Sequence, residues 1–129
     1  MRQRLRVSRG RFRRYVRRAL SALPPQFQAA TDNVAVVVER VPTPEDYEPR
    51  EGREEREAGT PLYGVYRGIP LPLRGAAPHL STPDVIAVFR RPLLAGCRTR
   101  GELREEIRLT VLHEMGHYFG LEEEAVEHL

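Results

Sequence analysis

The chain has 129 residues, of which 40% are hydrophobic and 30% are charged, and its formal net charge is +3. This balance is typical of one soluble globular domain with one core. The single cysteine, Cys97, excludes an internal disulfide and is expected to be a small buried residue. No apolar stretch reaches the length of a transmembrane helix.

The N-terminal segment is strongly basic. All 21 basic residues of the chain are arginine, and nine of them lie between residues 2 and 18. Apolar side chains recur among them at helical spacing, so we predict a helix over about residues 9–22, ended by Pro24 and Pro25. A solvated basic face is favoured over a nucleic-acid site, because no groove-reading motif accompanies the arginines.

This segment also lacks the apolar region of a secretory signal, so we expect a cytoplasmic protein without membrane contact. We divide the chain into a basic tail and start of a helix over residues 1–20 and one domain over residues 20–129. A monomer is expected.

Three short segments are predicted to be strands: residues 33–39, residues 62–67, and residues 84–91, the last ended by Pro92. Gly64 inside the second strand indicates a bulge or a close approach of another backbone. Residues 42–61 are rich in proline, glycine and charges of both signs and predict a long solvated loop. Whether this loop covers a site is left open.

A long helix is predicted from Thr99 to about Phe119. Thr99 is a good N-cap, and Glu102 completes a capping box. Leu103, Ile107 and Val111 fall on one apolar stripe, so the helix is expected to pack on the core. Gly120 follows where helices commonly end in a left-handed turn.

The end of this helix carries the spacing H-E-x-x-H. Residues four apart lie on one face of a helix, so His113 and His117 can direct two imidazoles at one metal ion. Glu114 lies on the adjacent face, where its carboxylate can take a proton from a water at the metal. The spacing therefore predicts two zinc ligands and a catalytic general base.

A third ligand is expected after the glycine turn. Gly120 and Glu123 match the longer motif in which a turn swings a further ligand back to the metal. Glu122 and Glu124 flank this position, and His128 could return on a terminal helix. Glu123 is the preferred ligand, with these three residues as alternatives.

Several segments together resemble the small bacterial zincin-like metallopeptidases, described as a minimal zincin fold and long treated as a domain of unknown function. The resemblance covers about residues 20–127 and is carried by the sequences LPPQF (23–27), NVAVVVE (33–39), LYGVYRG (62–68), FRRPLL (89–94) and LREEIRLTVLHEMGHYFG (103–120). It implies an α+β domain: a short twisted sheet of about three to four strands, packed with an N-terminal helix and a C-terminal H-E-x-x-H helix.

The resemblance also implies roles for particular residues. His113 and His117 match zinc ligands, Glu114 matches the general base, and a carboxylate after the glycine turn points to Glu123. The chain departs from the longer zincin pattern because no methionine turn follows Gly120. No downstream histidine or tyrosine is clearly placed to stabilise an oxyanion, and Tyr63, Tyr66 and Tyr118 are nominal candidates only.

The preferred function is a zinc-dependent metallopeptidase acting on a peptide or protein substrate. The alternative is a non-catalytic binding module stabilised by metal, whose basic N-terminal helix contacts an acidic partner or nucleic acid. The peptidase is favoured because Glu114 has no role in a purely structural site.

Overall fold

The computed structural model describes residues 5–47, 61–68 and 84–120 of the chain. These ranges contain helices and one small sheet, which confirms the predicted α+β class. The helices are α1 (Arg9–Ser21), α2 (Pro25–Gln28), α3 (Arg90–Gly96) and α4 (Arg100–Tyr118), and the strands are β1 (Val34–Glu39), β2 (Gly64–Arg67) and β3 (Asp84–Phe89). Two 3-10 turns, Ala29–Asp32 and Pro44–Tyr47, complete the list. No helix in these ranges has both the length and the apolar character of a membrane span.

The sheet places β3 between the other two strands. β1 pairs with β3 in parallel, from Val34 opposite Asp84 to Glu39 opposite Phe89. β2 pairs with β3 in antiparallel orientation. The central strand is therefore paired on both sides, and β2 is an edge strand of the described sheet.

Side chains alternate between the two faces of the sheet along each strand. In β3 the side chains on both faces are apolar. Ile86 and Val88 of β3 face the helices and join the main hydrophobic core. Ala87 and Phe89 face the other side and form a second, smaller cluster with Val65. A strand that is apolar on both faces has a continuous hydrophobic sequence, which is the pattern that predicted β3.

The helical layer combines α1 and α4. α1 begins at Ser8, whose hydroxyl oxygen accepts a hydrogen bond from the Arg11 amide at 3.2 Å. Its buried stripe packs with α4 in the main core and consists of Phe12, Tyr15, Val16 and Ala19. The observed bounds confirm the predicted first helix within one residue. The prediction was possible because the apolar stripe has helical spacing.

The predicted third strand is two residues too long. β3 ends at Phe89, and α3 begins at Arg90, so Pro92 lies inside the first turn of a helix. Proline is tolerated there because an amide in the first turn has no acceptor within the helix. The prediction that Pro92 ends the strand was wrong for this reason.

The second face of the sheet is covered in part by the 3-10 turn Pro44–Tyr47, which lies within the segment predicted to be a solvated loop. Asp46 is only 3% exposed and accepts hydrogen bonds from Arg67, Nε to Oδ1 at 2.8 Å and Nη2 to Oδ2 at 2.9 Å. The same guanidinium donates two bonds of 2.8 Å to Glu39. The turn is thus tied to the sheet through Asp46, whereas Thr43, Pro44 and Glu45 are exposed as the loop prediction expects. Residues 48–60 of the predicted loop lie outside the described residues.

Candidate metal centre

The long helix α4 presents the H-E-x-x-H residues in its last two turns. At its start, the Thr99 hydroxyl accepts a hydrogen bond from the Glu102 amide at 3.0 Å, as the predicted capping box requires. The Glu102 carboxylate accepts a hydrogen bond of 2.7 Å from the amide of Arg98, one residue before the N-cap. The predicted cap is confirmed, with its second hydrogen bond shifted by one residue.

The end of the helix also has its predicted form. Gly120 has a φ of 75°, in the left-handed region, and its amide donates to the His117 carbonyl at 2.9 Å. An L-residue with a side chain is strained in this conformation, so glycine suits the position. The chain therefore leaves the helix in a turn directly after the second histidine.

The two histidines meet on one face of the helix. The Nε2 atoms of His113 and His117 are 3.1 Å apart, and the rings stand at 77° to each other. Both side chains are half-buried. One ligand atom from each histidine and one carboxylate oxygen of Glu114 all lie within 4.8 Å of one another.

The donor set and its spacing fit a zinc ion. Zinc–nitrogen bonds of about 2.0–2.1 Å in a tetrahedral arrangement place two ligand nitrogens about 3.3 Å apart. The observed 3.1 Å between the nitrogens of His113 and His117 is close to this value. Two imidazoles and a neighbouring carboxylate are the ligand types that zinc prefers, so these residues can form part of a metal centre.

Glu114 is buried because of its place on the helix. It is 2% exposed and lies on the sheet-facing side with Thr110, one turn earlier, whereas the histidines lie at the border of that side. Both side chains pack against Gly64 of β2: a Cβ atom added there would lie 2.5 Å from Thr110 Cγ2 and 3.6 Å from Glu114 Cγ. Gly64 thus marks a close approach, one of the two predicted alternatives, but α4 approaches it with side chains rather than with its backbone. This packing sets Glu114 directly beside the edge strand.

The three tyrosines considered as oxyanion partners have other contacts in the fold. Tyr66 is buried and donates its hydroxyl proton to Asp84 at 2.7 Å. The ring of Tyr118 packs edge-on against that of Tyr66, with centroids 5.9 Å apart, and is also buried. The hydroxyl of Tyr63 lies against Gly96 of α3. These contacts place the three side chains in the packing of the fold, and a role for any of them at the site stays a prediction.

The other predicted ligands fall outside the described residues. Glu123 and its alternatives, Glu122, Glu124 and His128, all follow Gly120, where the described part of the chain ends. Cys97 is buried in the main core, as predicted. Within the described ranges, the metal-competent group consists of His113, Glu114 and His117.

Comparison with known proteins agrees with this arrangement. The zincin-like metallopeptidase family matches residues 31–129. Among solved structures, a conserved hypothetical protein from Thermo thermophilus is similar in fold, with a TM-score of 0.54 and 23% sequence identity over 88% of this chain and 94% of that chain. No curated protein matches the chain. The family match covers most of the chain and includes the whole H-E-x-x-H helix, and the chain therefore belongs to the zincin-like metallopeptidases.

Proposed function

We propose that the protein is a zinc-dependent peptidase in which His113, His117 and Glu123 hold the ion and Glu114 is the general base. One observation carries the proposal: two imidazole nitrogens lie 3.1 Å apart, and a buried carboxylate lies within 4.8 Å of both. Such a carboxylate is costly to bury, and it is kept most readily where it has a chemical task. Membership of the zincin-like family supports the same interpretation.

The residues divide the chemistry between them. A bound zinc ion would lower the pKa of a water molecule and polarise the scissile carbonyl. His113 and His117 would hold the ion through imidazole nitrogens, and their place on one face of the helix brings both rings together. Glu114 accepts the proton of the attacking water and passes it to the leaving amine. Since Glu114 lies in a buried position, this transfer takes place away from bulk water.

The edge strand offers a place for the substrate. β2 is paired on one side only within the described sheet, and its Gly64 packs against Glu114. An extended peptide can add to such an edge by main-chain hydrogen bonds. A peptide bound in this way would pass beside the general base, so we propose a peptide or protein substrate in extended conformation.

The direct test compares the wild-type protein with Glu114→Gln in the presence of equimolar zinc. Glutamine keeps the size of the side chain and removes its basicity. We expect the wild type to cleave members of a mixed peptide library, and the variant to bind zinc with little or no cleavage. A wild type that cleaves no member, or a variant that cleaves as fast as the wild type, contradicts the proposal.

The third ligand has its own test. Glu123→Ala should weaken zinc binding, whereas Glu122→Ala and Glu124→Ala serve as matched controls and should leave it close to wild type. Full zinc affinity in the Glu123 variant rules out this ligand. The coordination number measured by X-ray absorption distinguishes a catalytic site, with three protein ligands and a water, from a structural site with four protein ligands. Four protein ligands would favour the metal-stabilised binding module.

A further inference from the structure

A second feature of the surface lies apart from the histidines. A cleft of about 200 Å³ opens between the first turns of α1, the end of β1 and the start of α3. Its lining consists of Arg9, Arg13, Val38, Glu39, Arg40 and Arg90. Four of these six residues are arginine, and none of the six belongs to the candidate metal centre.

Two of the arginines come from one helix. Arg9 and Arg13 are four residues apart in α1, so they lie on the same face, one turn above each other. This first turn contains no acidic residue, although acidic side chains are the ones favoured at the positive end of a helix. The helix therefore directs two guanidinium groups to the cleft at a position where its own dipole does not stabilise them.

The other two arginines come from the ends of neighbouring strands. Glu39 and Phe89 are register partners on the parallel strands β1 and β3, and each is followed directly by an arginine. The amide of Arg91 donates to the carbonyl of Arg40 at 3.0 Å, which keeps the two chains together past the ladder. Parallel pairing thus brings Arg40 and Arg90 to the same edge of the sheet, beside the start of α1.

The positive charge of the cleft is not neutralised by its own lining. Its one acidic residue, Glu39, accepts two hydrogen bonds of 2.8 Å from Arg67, which hold the pKa of its carboxyl below the usual value. In the described part of the chain, no ion pair is formed by any of the four arginines that line the cleft. Four like charges around one cleft repel each other, and an anion bound between them would offset that repulsion.

The shape and chemistry of the cleft indicate the ligand. Guanidinium groups match the oxygens of phosphate with paired hydrogen bonds, and several together suit a group with more than one charge. The cleft is smaller than the roughly 300–1,000 Å³ of pockets that enclose a whole drug-sized molecule. We propose that this four-arginine cleft binds the phosphate groups of a small di- or polyphosphate-bearing molecule, independently of the metal centre.

Calorimetric titration of the full-length protein with pyrophosphate tests the proposal. The test variant is the double substitution Arg9→Gln and Arg13→Gln. The matched control is Arg14→Gln and Arg17→Gln, which removes the same charge from exposed positions of the same helix that do not line the cleft. We expect saturable one-to-one binding to the wild type. The test variant should bind at least about tenfold more weakly, since one lost charged hydrogen bond corresponds to roughly that factor, and the control less than about twofold more weakly.

Other outcomes overturn the proposal. Equal weakening in both double variants shows a diffuse charge effect, and undiminished binding in the test variant places pyrophosphate elsewhere, for example at zinc. Absence of saturable binding, or binding of single-stranded DNA or an acidic peptide but not of pyrophosphate, also rejects it. Thermal unfolding of each variant verifies that the fold is intact, which is expected because all four substituted side chains are exposed.

Discussion

Two of the three buried carboxylates in the described part of the chain lie on opposite faces of the same small sheet. Asp46, 3% exposed, is enclosed by hydrogen bonds from Arg67 and from the amide and hydroxyl of Thr43. Glu114, 2% exposed, lies on the helix-covered face with the imidazoles of His113 and His117 nearby. The first carboxylate faces a permanently charged guanidinium. The second faces rings that can bind a metal.

The different partners fit different roles: Asp46 is a structural acid that stabilises the fold, and we propose that Glu114 is a catalytic base. Arginine stays protonated at every physiological pH, so the partner of Asp46 holds its carboxylate in one ionised state. Burial raises the pKa of Asp46, but the hydrogen bonds from Arg67 and Thr43 outweigh that effect and hold the pKa below its usual value. A general base must instead gain and lose a proton during turnover. Substitution at Asp46 should therefore lower the free energy of unfolding, and substitution at Glu114 should lower peptidase activity.

The largest effect is expected from Glu114→Gln. General-base catalysis contributes about 10²- to 10⁴-fold, so we expect kcat/KM for a cleaved peptide to fall by that factor. The free energy of unfolding should change by less than about 1 kcal/mol, because a buried neutral amide avoids the cost of burying a charge. Activity assays and chemical denaturation measure the two quantities. A large loss of stability would instead identify Glu114 as a structural acid like Asp46.

A second substitution disturbs the packing beside Glu114. In Gly64→Ala, the new methyl group would lie 2.5 Å from Thr110 Cγ2 and 3.0 Å from the Ala87 carbonyl oxygen. We expect a loss of about 1–3 kcal/mol of stability, because helix and strand must move apart. Gly10→Ala is the control: its methyl group meets no atom within 4 Å, and alanine in a helix should stabilise by about 0.5–1 kcal/mol. Equal effects in denaturation would contradict the close packing of α4 on β2.

Asp46→Asn tests the structural acid. It replaces the charged partner of Arg67 with a neutral one, and we expect a loss of about 1–3 kcal/mol in chemical denaturation with peptidase activity retained. Glu105→Gln is a matched control, since Glu105 pairs with Arg108 on the exposed surface. Such pairs contribute about 0–1 kcal/mol. A similar small loss in both variants would show that the ionic network over the second face contributes little.

The pH dependence of stability tests whether ionised Asp46 stabilises the fold. The pKa values of Asp46 and Glu39 are lowered in the folded protein. Each group therefore contributes stability above its unfolded pKa of about 4, and this contribution is lost as the pH falls through the folded pKa. The stability difference between wild type and Asp46→Asn should be constant above about pH 5 and shrink on further acidification. A difference that persists at low pH would exclude ionisation as its source.

Local patterns predicted most of this fold. The helix from Thr99 could be predicted because its cap, its apolar stripe and Gly120 are all encoded within a few residues of each other. The position of His113 and His117 followed from helical spacing alone. Gly64 also indicated a close contact with another element, since a glycine inside a strand leaves room for one. The side chains that occupy this room come from α4.

What could not be predicted depends on contacts between distant residues. Arg67 is separated by more than twenty residues from Asp46 and by nearly thirty from Glu39, and nothing local indicates which acid it meets. α3 was missed because Pro92 is compatible both with the end of a strand and with the first turn of a helix. The four-arginine cleft had one local signal: two predicted strands each contain or precede an arginine at their ends, but only their parallel pairing brings those residues together.

Zinc affinity, measured by competition with a chelator, tests the central claim most directly. The wild type should bind one zinc ion. His117→Ala should bind it at least about 100-fold more weakly, since loss of a direct ligand exceeds the 10- to 100-fold effect of outer partners. Glu114→Gln should remain within a few-fold of the wild type, because we propose that Glu114 is a base rather than a ligand. Unchanged affinity in His117→Ala, or loss of binding in Glu114→Gln, would contradict this assignment of the H-E-x-x-H residues.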